Sequence, residues 1–208
     1  MFITFDGGDG CGKSTQVKLL ADWFRELGRD VLPCNDPGST SLGNAVRKIV
    51  LEHSELEICS TAEMLLFMAA RTQLVDEIIR PAVAQNKVVI SDRFLLSNLV
   101  YQGYGGGVCL DLLRQVGEIA TFGMKPDIGF VLDLPLEIAI SRMENRGRQD
   151  RMESKGIDYH ERVRAGFLEL AKAEPERYHI IDATESIDSV QKSIQKIVEV
   201  FTGSHIKH

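Results

Sequence analysis

Short apolar runs and longer amphipathic stretches take turns along the chain. Phe2–Phe5, Val31–Cys34, Val88–Ser91, Ile128–Leu132 and His179–Ile181 are continuous rather than alternating, which suits strands buried on both faces of a parallel sheet. Apolar residues at helical spacing occupy about 13–27, 42–53, 61–84, 110–122, 136–146, 157–173 and 187–201. Gly28 suits a C-terminal stop for the first helix, and Pro81 is expected to interrupt or kink the third. No repeat, low-complexity tract or linker divides the sequence. The pattern predicts an α/β fold with a doubly wound sheet of about five parallel strands and helices on both faces. Residues 1–208 are expected to form one domain. Ligands of such a sheet bind at the carboxyl ends of its strands.

The first strand end carries the strongest chemical signal. Gly7-Gly8-Asp9-Gly10-Cys11-Gly12-Lys13-Ser14, followed by Thr15, fits G-x-x-x-x-G-K-[ST] without a gap. An apolar strand precedes it and a helical pattern follows, as a phosphate-binding P-loop requires. Successive backbone N–H groups in such a loop form an anion cradle, and the helix N-terminus adds its dipole. Lys13 supplies a point charge for the outer phosphates, and Ser14 an oxygen for Mg²⁺. The motif therefore predicts a bound nucleoside triphosphate.

Composition narrows the setting. The net charge of −6 gives no global basic field for nucleic acid. No apolar run is long enough for a bilayer. A strand beginning at residue 2 leaves no room for a signal peptide. Cys11, Cys34, Cys59 and Cys109 are scattered without a C-x-x-C pair, the pattern of free thiols in a reducing compartment. These features predict a cytoplasmic enzyme with no nucleic-acid or membrane partner.

Further polar clusters sit where the sheet should present them. Asp92 ends the third apolar run, a place from which a carboxylate can orient Mg²⁺. Arg93 follows as a rigid fork suited to phosphate. In Ser97-Asn98-Leu99-Val100-Tyr101-Gln102, the amides of Asn98 and Gln102 are four apart and can both reach a base. Taken alone this segment reads as a polar helix end, and Gly103 to Gly107 as a mobile loop or a close backbone approach. Phe67 and Arg71 share a helix face. That spacing suits a stacking ring beside a guanidinium, and equally a core Phe beside a surface Arg. Arg142, Arg146, Arg148 and Arg151 cluster in an otherwise acidic chain. They fit a loop that closes over phosphates or a solvated basic face paired with Glu144, Asp150 and Glu153.

Together these residues resemble the bacterial thymidylate kinase (dTMP kinase) family of nucleoside monophosphate kinases, which are P-loop NTPases. The resemblance rests on Phe5-Asp6-Gly7-Gly8-Asp9-Gly10-Cys11-Gly12-Lys13-Ser14-Thr15, on Asp92-Arg93-Phe94 through Tyr101-Gln102-Gly103, and on Phe67-Met68-Ala69-Ala70-Arg71. Leu132-Asp133-Leu134-Pro135 with Arg142 and Arg146-Gly147, and Ile181-Asp182-Ala183-Thr184, extend it. It implies transfer of phosphate from ATP to dTMP with Mg²⁺, a short lid at about 142–156, and a homodimer. It also implies roles. Phe67 stacks on thymine and Arg71 contacts a polar atom of the base. Ser97, Asn98 and Gln102 lie near the acceptor, Tyr101 crowds the 2′ position and Asp9 approaches the 3′-hydroxyl. Arg93 holds the acceptor phosphate, and Ser14 and Asp92 the metal. The loop itself, Arg142 and Thr184 face the donor. Because no basic residue stands among Gly8 to Cys11, the catalytic arginine is placed in the lid, at Arg146 first and Arg151 second. One departure stands out: Asn35-Asp36-Pro37-Gly38-Ser39-Thr40 replaces the family's R-E-P-G-G-T. Asp36 remains a candidate acceptor-site residue. Asp6, where Glu is common, reads as a conservative exchange.

The attacking group in this reaction is a phosphate oxygen whose second pKa is about 6, so no general base is required. Two other functions use the same loop. A deoxynucleoside kinase attacks with a neutral hydroxyl and needs a carboxylate base, a part open to Asp36. A GTP-dependent switch reads guanine with N-K-x-D, whereas Asn86-Lys87-Val88-Val89 lacks the Asp and precedes a strand.

Overall fold

The computed structural model describes residues 1–52, 56–144, 151–153 and 155–205. Its strands are β1 Phe2–Gly7, β2 Val31–Asn35, β3 Val88–Asp92, β4 Ile128–Asp133 and β5 Tyr178–Asp182. The helices are α1 Lys13–Glu26, α2 Ser41–Arg47, α3 Ser60–Leu74, α4 Arg80–Ala84, α5 Leu95–Asn98, α6 Leu110–Thr121, α7 Leu136–Glu144, α8 Ile157–Ala173 and α9 Ile187–His205. The five strands run parallel in the order β2-β3-β1-β4-β5, so the doubly wound sheet is as the apolar runs predict. Each predicted strand is present, extended by one or two residues at its ends.

All of β1 is buried, because helices cover both faces of the central strand. On one face Phe5, Leu20, Phe24, Phe130, Ile194 and Val198 join β1 and β4 to α1 and α9. On the other, Phe2, Leu74, Ile79, Val89 and Phe94 pack under α3, and Val131, Val163 and Phe167 pack under α8. Burying such a side chain contributes about 1.5–3 kcal/mol, which holds the strands in register. That register aligns Asn35 with Asp92, Phe5 with Asp92, Gly7 with Leu132, and Asp133 with Asp182. The polar ends of the strands are thereby gathered along one edge of the sheet.

Two expectations take a definite form. Pro81 interrupts its α-helix without ending the helical run. The chain from Ser60 to Ala84 stays helical, with a π-helical turn at Val75–Ile79 immediately before the proline. Proline removes one N–H and crowds the carbonyl four residues back, and a widened turn accommodates both. The glycine segment is likewise not a loop up to Gly105. A π-helical turn, Leu99–Gly105, continues α5. A Cβ at Gly105 would lie 2.5 Å from the Tyr159 ring, so the glycine serves close packing against α8. No helix among the described residues is long and apolar enough to cross a membrane.

Candidate active site

The loop between β1 and α1 bends through Gly12, which precedes α1 at φ 95°, a left-handed conformation that L side chains disfavour. Lys13 is folded back over this loop. Its Nζ donates to the carbonyls of Gly8 at 2.7 Å and Gly7 at 3.2 Å, and lies 3.5 Å from Cys11 Sγ. The ammonium is thus stored against backbone acceptors within the cradle. Ser14 Oγ donates to Asp92 Oδ2 at 2.6 Å, bringing the end of β3 to the start of α1. Arg142, on α7, reaches the carbonyls of Gly10 at 3.5 Å and Ala183 at 3.4 Å. Thr184 is turned to Asp182, donating to its Oδ1 through Oγ1 at 2.7 Å, while its neighbours Ala183 and Glu185 line the cavity.

Arg93 stands at the other side of the loop. It adopts φ 70°, a strained conformation for a non-glycine residue, directly after β3. Its guanidinium donates to Gly7 O at 2.9 Å, Ser97 Oγ at 3.2 Å, Asp9 Oδ1 at 2.5 Å and Tyr101 OH at 3.0 Å. Tyr101 OH in turn donates to Asp9 Oδ2 at 2.9 Å. Asp9 therefore has both oxygens engaged within this cluster. Burial alone would raise the Asp9 pKa, but the charges of Arg93 and Lys13 and the Tyr101 hydrogen bond outweigh it and hold the carboxyl below its ordinary value. A depressed folded pKa gives stability that is present above the unfolded value and is lost as pH falls through the folded one. Asp9→Asn is accordingly expected to show a constant deficit in melting temperature from about pH 5 to 7 that shrinks below about pH 4. Thermal melts of both proteins from pH 7 to 3 check this; a deficit independent of pH would remove Asp9 from the ionised cluster.

Arg71 is not a surface arginine. It is 1% exposed, with Nε 2.5 Å from Asp36 Oδ2 and Nη2 3.2 Å from Phe94 O. The turn after β2, where this chain departs from the family pattern, thus directs its shorter acid at Arg71. Phe67, one helical turn earlier, packs with Val46, Val50 and Ala70 and reaches the same cavity. Asn98 Nδ2 donates to Gln102 Oε1 at 2.7 Å, and Gln102 Nε2 to Glu63 Oε1 at 2.9 Å. Glu63 also accepts a very short hydrogen bond from Arg151 Nη2, while Arg151 Nε donates to Val50 O at 2.8 Å. Arg151 is therefore held against α3. Glu63 has no part in the sequence reading. The one signal for it is its spacing, four residues before Phe67 and eight before Arg71 on one face of α3. Arg146 and Arg148 lie outside the described residues, as does part of the 142–156 lid.

One cavity of about 1360 Å³ joins these groups, larger than the roughly 300–1,000 Å³ usual for a small-molecule site. The P-loop, Ser14 and Arg142 line it together with Arg93, Arg71, Phe67 and Gln102. Among the described residues no group of three or more His, Cys, Asp or Glu side chains could hold a metal ion. The Ser14–Asp92 pair nevertheless offers hard oxygen atoms beside the cradle, and Mg²⁺ is commonly held by one or two such protein groups plus substrate phosphates.

A family model described as thymidylate kinase matches residues 5–194. A thymidylate kinase of Exiguobacterium sp. is 43% identical over 93% of this chain and 92% of its own length. One from Desulforudis audaxviator is 46% identical over 88% and 83%. The crystal structure of thymidylate kinase from Ehrlichia chaffeensis superposes with a TM-score of 0.76 at 34% identity, covering 95% of this chain and 98% of that one. Sequence and fold agree, and the chain belongs to the thymidylate kinase family.

Proposed function

We propose that this protein transfers the γ-phosphoryl group of ATP to dTMP, giving ADP and dTDP, in a cytoplasmic homodimer with Mg²⁺. The observation that carries the reading is one cavity lined both by the P-loop with Lys13 and by Arg93, Arg71 and Phe67. Exposed Leu112, Ile119 and Phe122 at α6 supply an apolar surface suited to a second copy.

In the reaction an oxygen of the dTMP phosphate attacks the terminal phosphorus of ATP, and the bond to the bridging oxygen breaks with its electron pair left on ADP. The attacking oxygen is already anionic at neutral pH, so the protein's task is to hold two polyanions in line and neutralise them. In this reading Lys13 leaves the carbonyls of Gly7 and Gly8 and moves onto the donor phosphates. Its storage on those acceptors keeps the charge in the cradle without a buried unpaired ammonium. Arg142 faces the donor. Arg93 exchanges part of its protein contacts for the acceptor phosphate, and Asp9 and Tyr101 then face the sugar. Phe67 and Arg71 read the base, with Asn98 and Gln102 beside it. Ser14 and Asp92 would hold Mg²⁺, which supplies charge neutralisation across the transferring phosphates. Asp36 is committed to Arg71, which argues against its use as the base of a hydroxyl-directed kinase.

A coupled ADP-release assay with ATP and Mg²⁺ over dTMP, dUMP, UMP, CMP, AMP and thymidine tests the proposal. The expected order places dTMP first and dUMP about 10- to 200-fold lower, the discrimination one methyl in an apolar pocket allows. Turnover of thymidine but not dTMP would sink it.

A further inference from the structure

We infer that Asp6 is a positioning residue for phosphoryl acceptance, acting through Ser97 to set the Arg93 guanidinium. The inference rests on the reading of Arg93 as the acceptor-phosphate ligand. Asp6 follows the apolar run of β1 and is 0% exposed, a costly place for a carboxyl without a task. Its Oδ1 accepts the Ser97 hydroxyl proton at 2.6 Å. A serine hydroxyl has one proton, so that proton is committed to Asp6 and only lone pairs face Arg93. Arg93 Nη1 donates to the same Ser97 oxygen at 3.2 Å and to Gly7 O at 2.9 Å. Asp6 therefore decides that Ser97 is an acceptor toward the arginine. Without that acid the hydroxyl is free to turn its proton at the guanidinium, and one of the contacts that aim it disappears.

A second observation supports a positioning task. Asp6 Oδ2 is buried without a close hydrogen-bond partner, so Ser97 is the side chain to which the acid is committed. Burial pushes the Asp6 carboxyl above its ordinary range, while the Ser97 hydrogen bond, the charge of Arg93, the backbone N–H of Phe94 and the charge of Lys13 pull it down. The strained Arg93 backbone is anchored on the neighbouring residue of the same strand, with Arg93 N–H donating to Phe5 O at 2.8 Å. β1 thus grips Arg93 by its backbone at Phe5 and by its side chain through Asp6 and Ser97. The exchange of Glu for Asp at this position is then a matter of reach to Ser97.

Steady-state kinetics of Asp6→Ala, Ser97→Ala, the double variant, Asp6→Asn and Arg93→Ala test this chain of contacts. Asp6→Ala and Ser97→Ala are each expected to raise KM for dTMP about 10-fold, the size of one lost hydrogen bond to a charged group, with KM for ATP unchanged. The double variant should be no worse than the poorer single one, because both remove one relay. Asp6→Asn, which keeps an acceptor oxygen, should restore most of the dTMP affinity. Multiplying effects in the double variant, or equal losses for ATP and dTMP, would overturn the inference. Should Asp6→Ala fail to fold, Ser97→Ala alone decides: an unchanged KM for dTMP, or an equal rise in KM for ATP, overturns the inference. Arg93→Ala separates the two levels. If it leaves KM for dTMP unchanged, the reading of Arg93 itself fails; if it raises KM while Asp6 and Ser97 variants do not, only the role of Asp6 fails.

Discussion

Arg146→Ala is expected to lower kcat by on the order of 10³-fold with little change in KM for dTMP, whereas Arg151→Ala is expected to act mainly on KM. The contrast follows from where positive charge is already committed. Among the described arginines of the cavity, Arg93 donates to Asp9, Tyr101, Ser97 and Gly7. Arg142 donates to the carbonyls of Gly10 and Ala183, and Arg47 to that of Pro37. Arg151 is tied to Glu63 and Val50, at the end of the cavity where Gln102 and Phe67 stand. Within the loop, Lys13 is the basic residue. A charge that appears on the transferring phosphoryl group only in the transition state is met by a donor placed at that group, whereas Arg151 is held beside Glu63. The proposal gives that part to Arg146, which stands outside the described residues. Single-turnover measurements with both variants check it. An unchanged kcat for Arg146→Ala, or a large loss of kcat with unchanged KM for Arg151→Ala, would exchange the two roles.

Arg71→Met is expected to cost about 3–5 kcal/mol of stability, or roughly 6–20 °C of melting temperature for a chain of this size. Arg71 and Asp36 form an ion pair with side chains 1% and 0% exposed. Removing the guanidinium leaves a carboxylate that is already short of partners, since Asp36 Oδ1 has none. It also removes the donor to Phe94 O and the cation lying 5.5 Å from the Phe94 ring. Replacing both charges costs less than replacing one, because the desolvation penalty goes with them. Arg71→Met/Asp36→Leu should therefore melt closer to the unaltered protein than Arg71→Met does. Affinity for dTMP should stay low in both variants, because Arg71 lines the acceptor end of the cavity. Calorimetry with dTMP titration checks both halves. A single variant that melts within about 2 °C of the parent would show that pairing and desolvation cancel here.

Much of the site is legible in the amino-acid sequence, for identifiable reasons. The P-loop can be read because its spacing is local: one strand, eight residues and one helix suffice to build the cradle. Asp92 and Arg93 can be read because a polar pair follows a continuous apolar run, and the sheet register carries such pairs to one edge. The helix from Leu95 to Gly105 is hidden by its glycines. Its stability comes from contact with Leu110, Leu113 and Tyr159, none of which is near in sequence to all of it. Pro81 is legible as an interruption, and the form that it takes, a π-helical turn and not a stop, is what the local signal leaves open.

The partners of the charged residues are where sequence stops. By residue type Asp36 suits an acceptor-site contact or a general base, yet its carboxylate meets Arg71, 35 residues away. Arg151 suits the phosphates, and it is held on Glu63, 88 residues away. Asp6 reads as a conservative exchange, and its partner Ser97 lies 91 residues on. By itself the sequence determined the sheet, the cradle and the kinds of side chain available, because apolar periodicity and backbone geometry act over a few residues. Which acid neutralises which base was decided by the tertiary structure. A charge in a low-dielectric interior must find its partner in space, and the sheet register and helix packing alone set those distances.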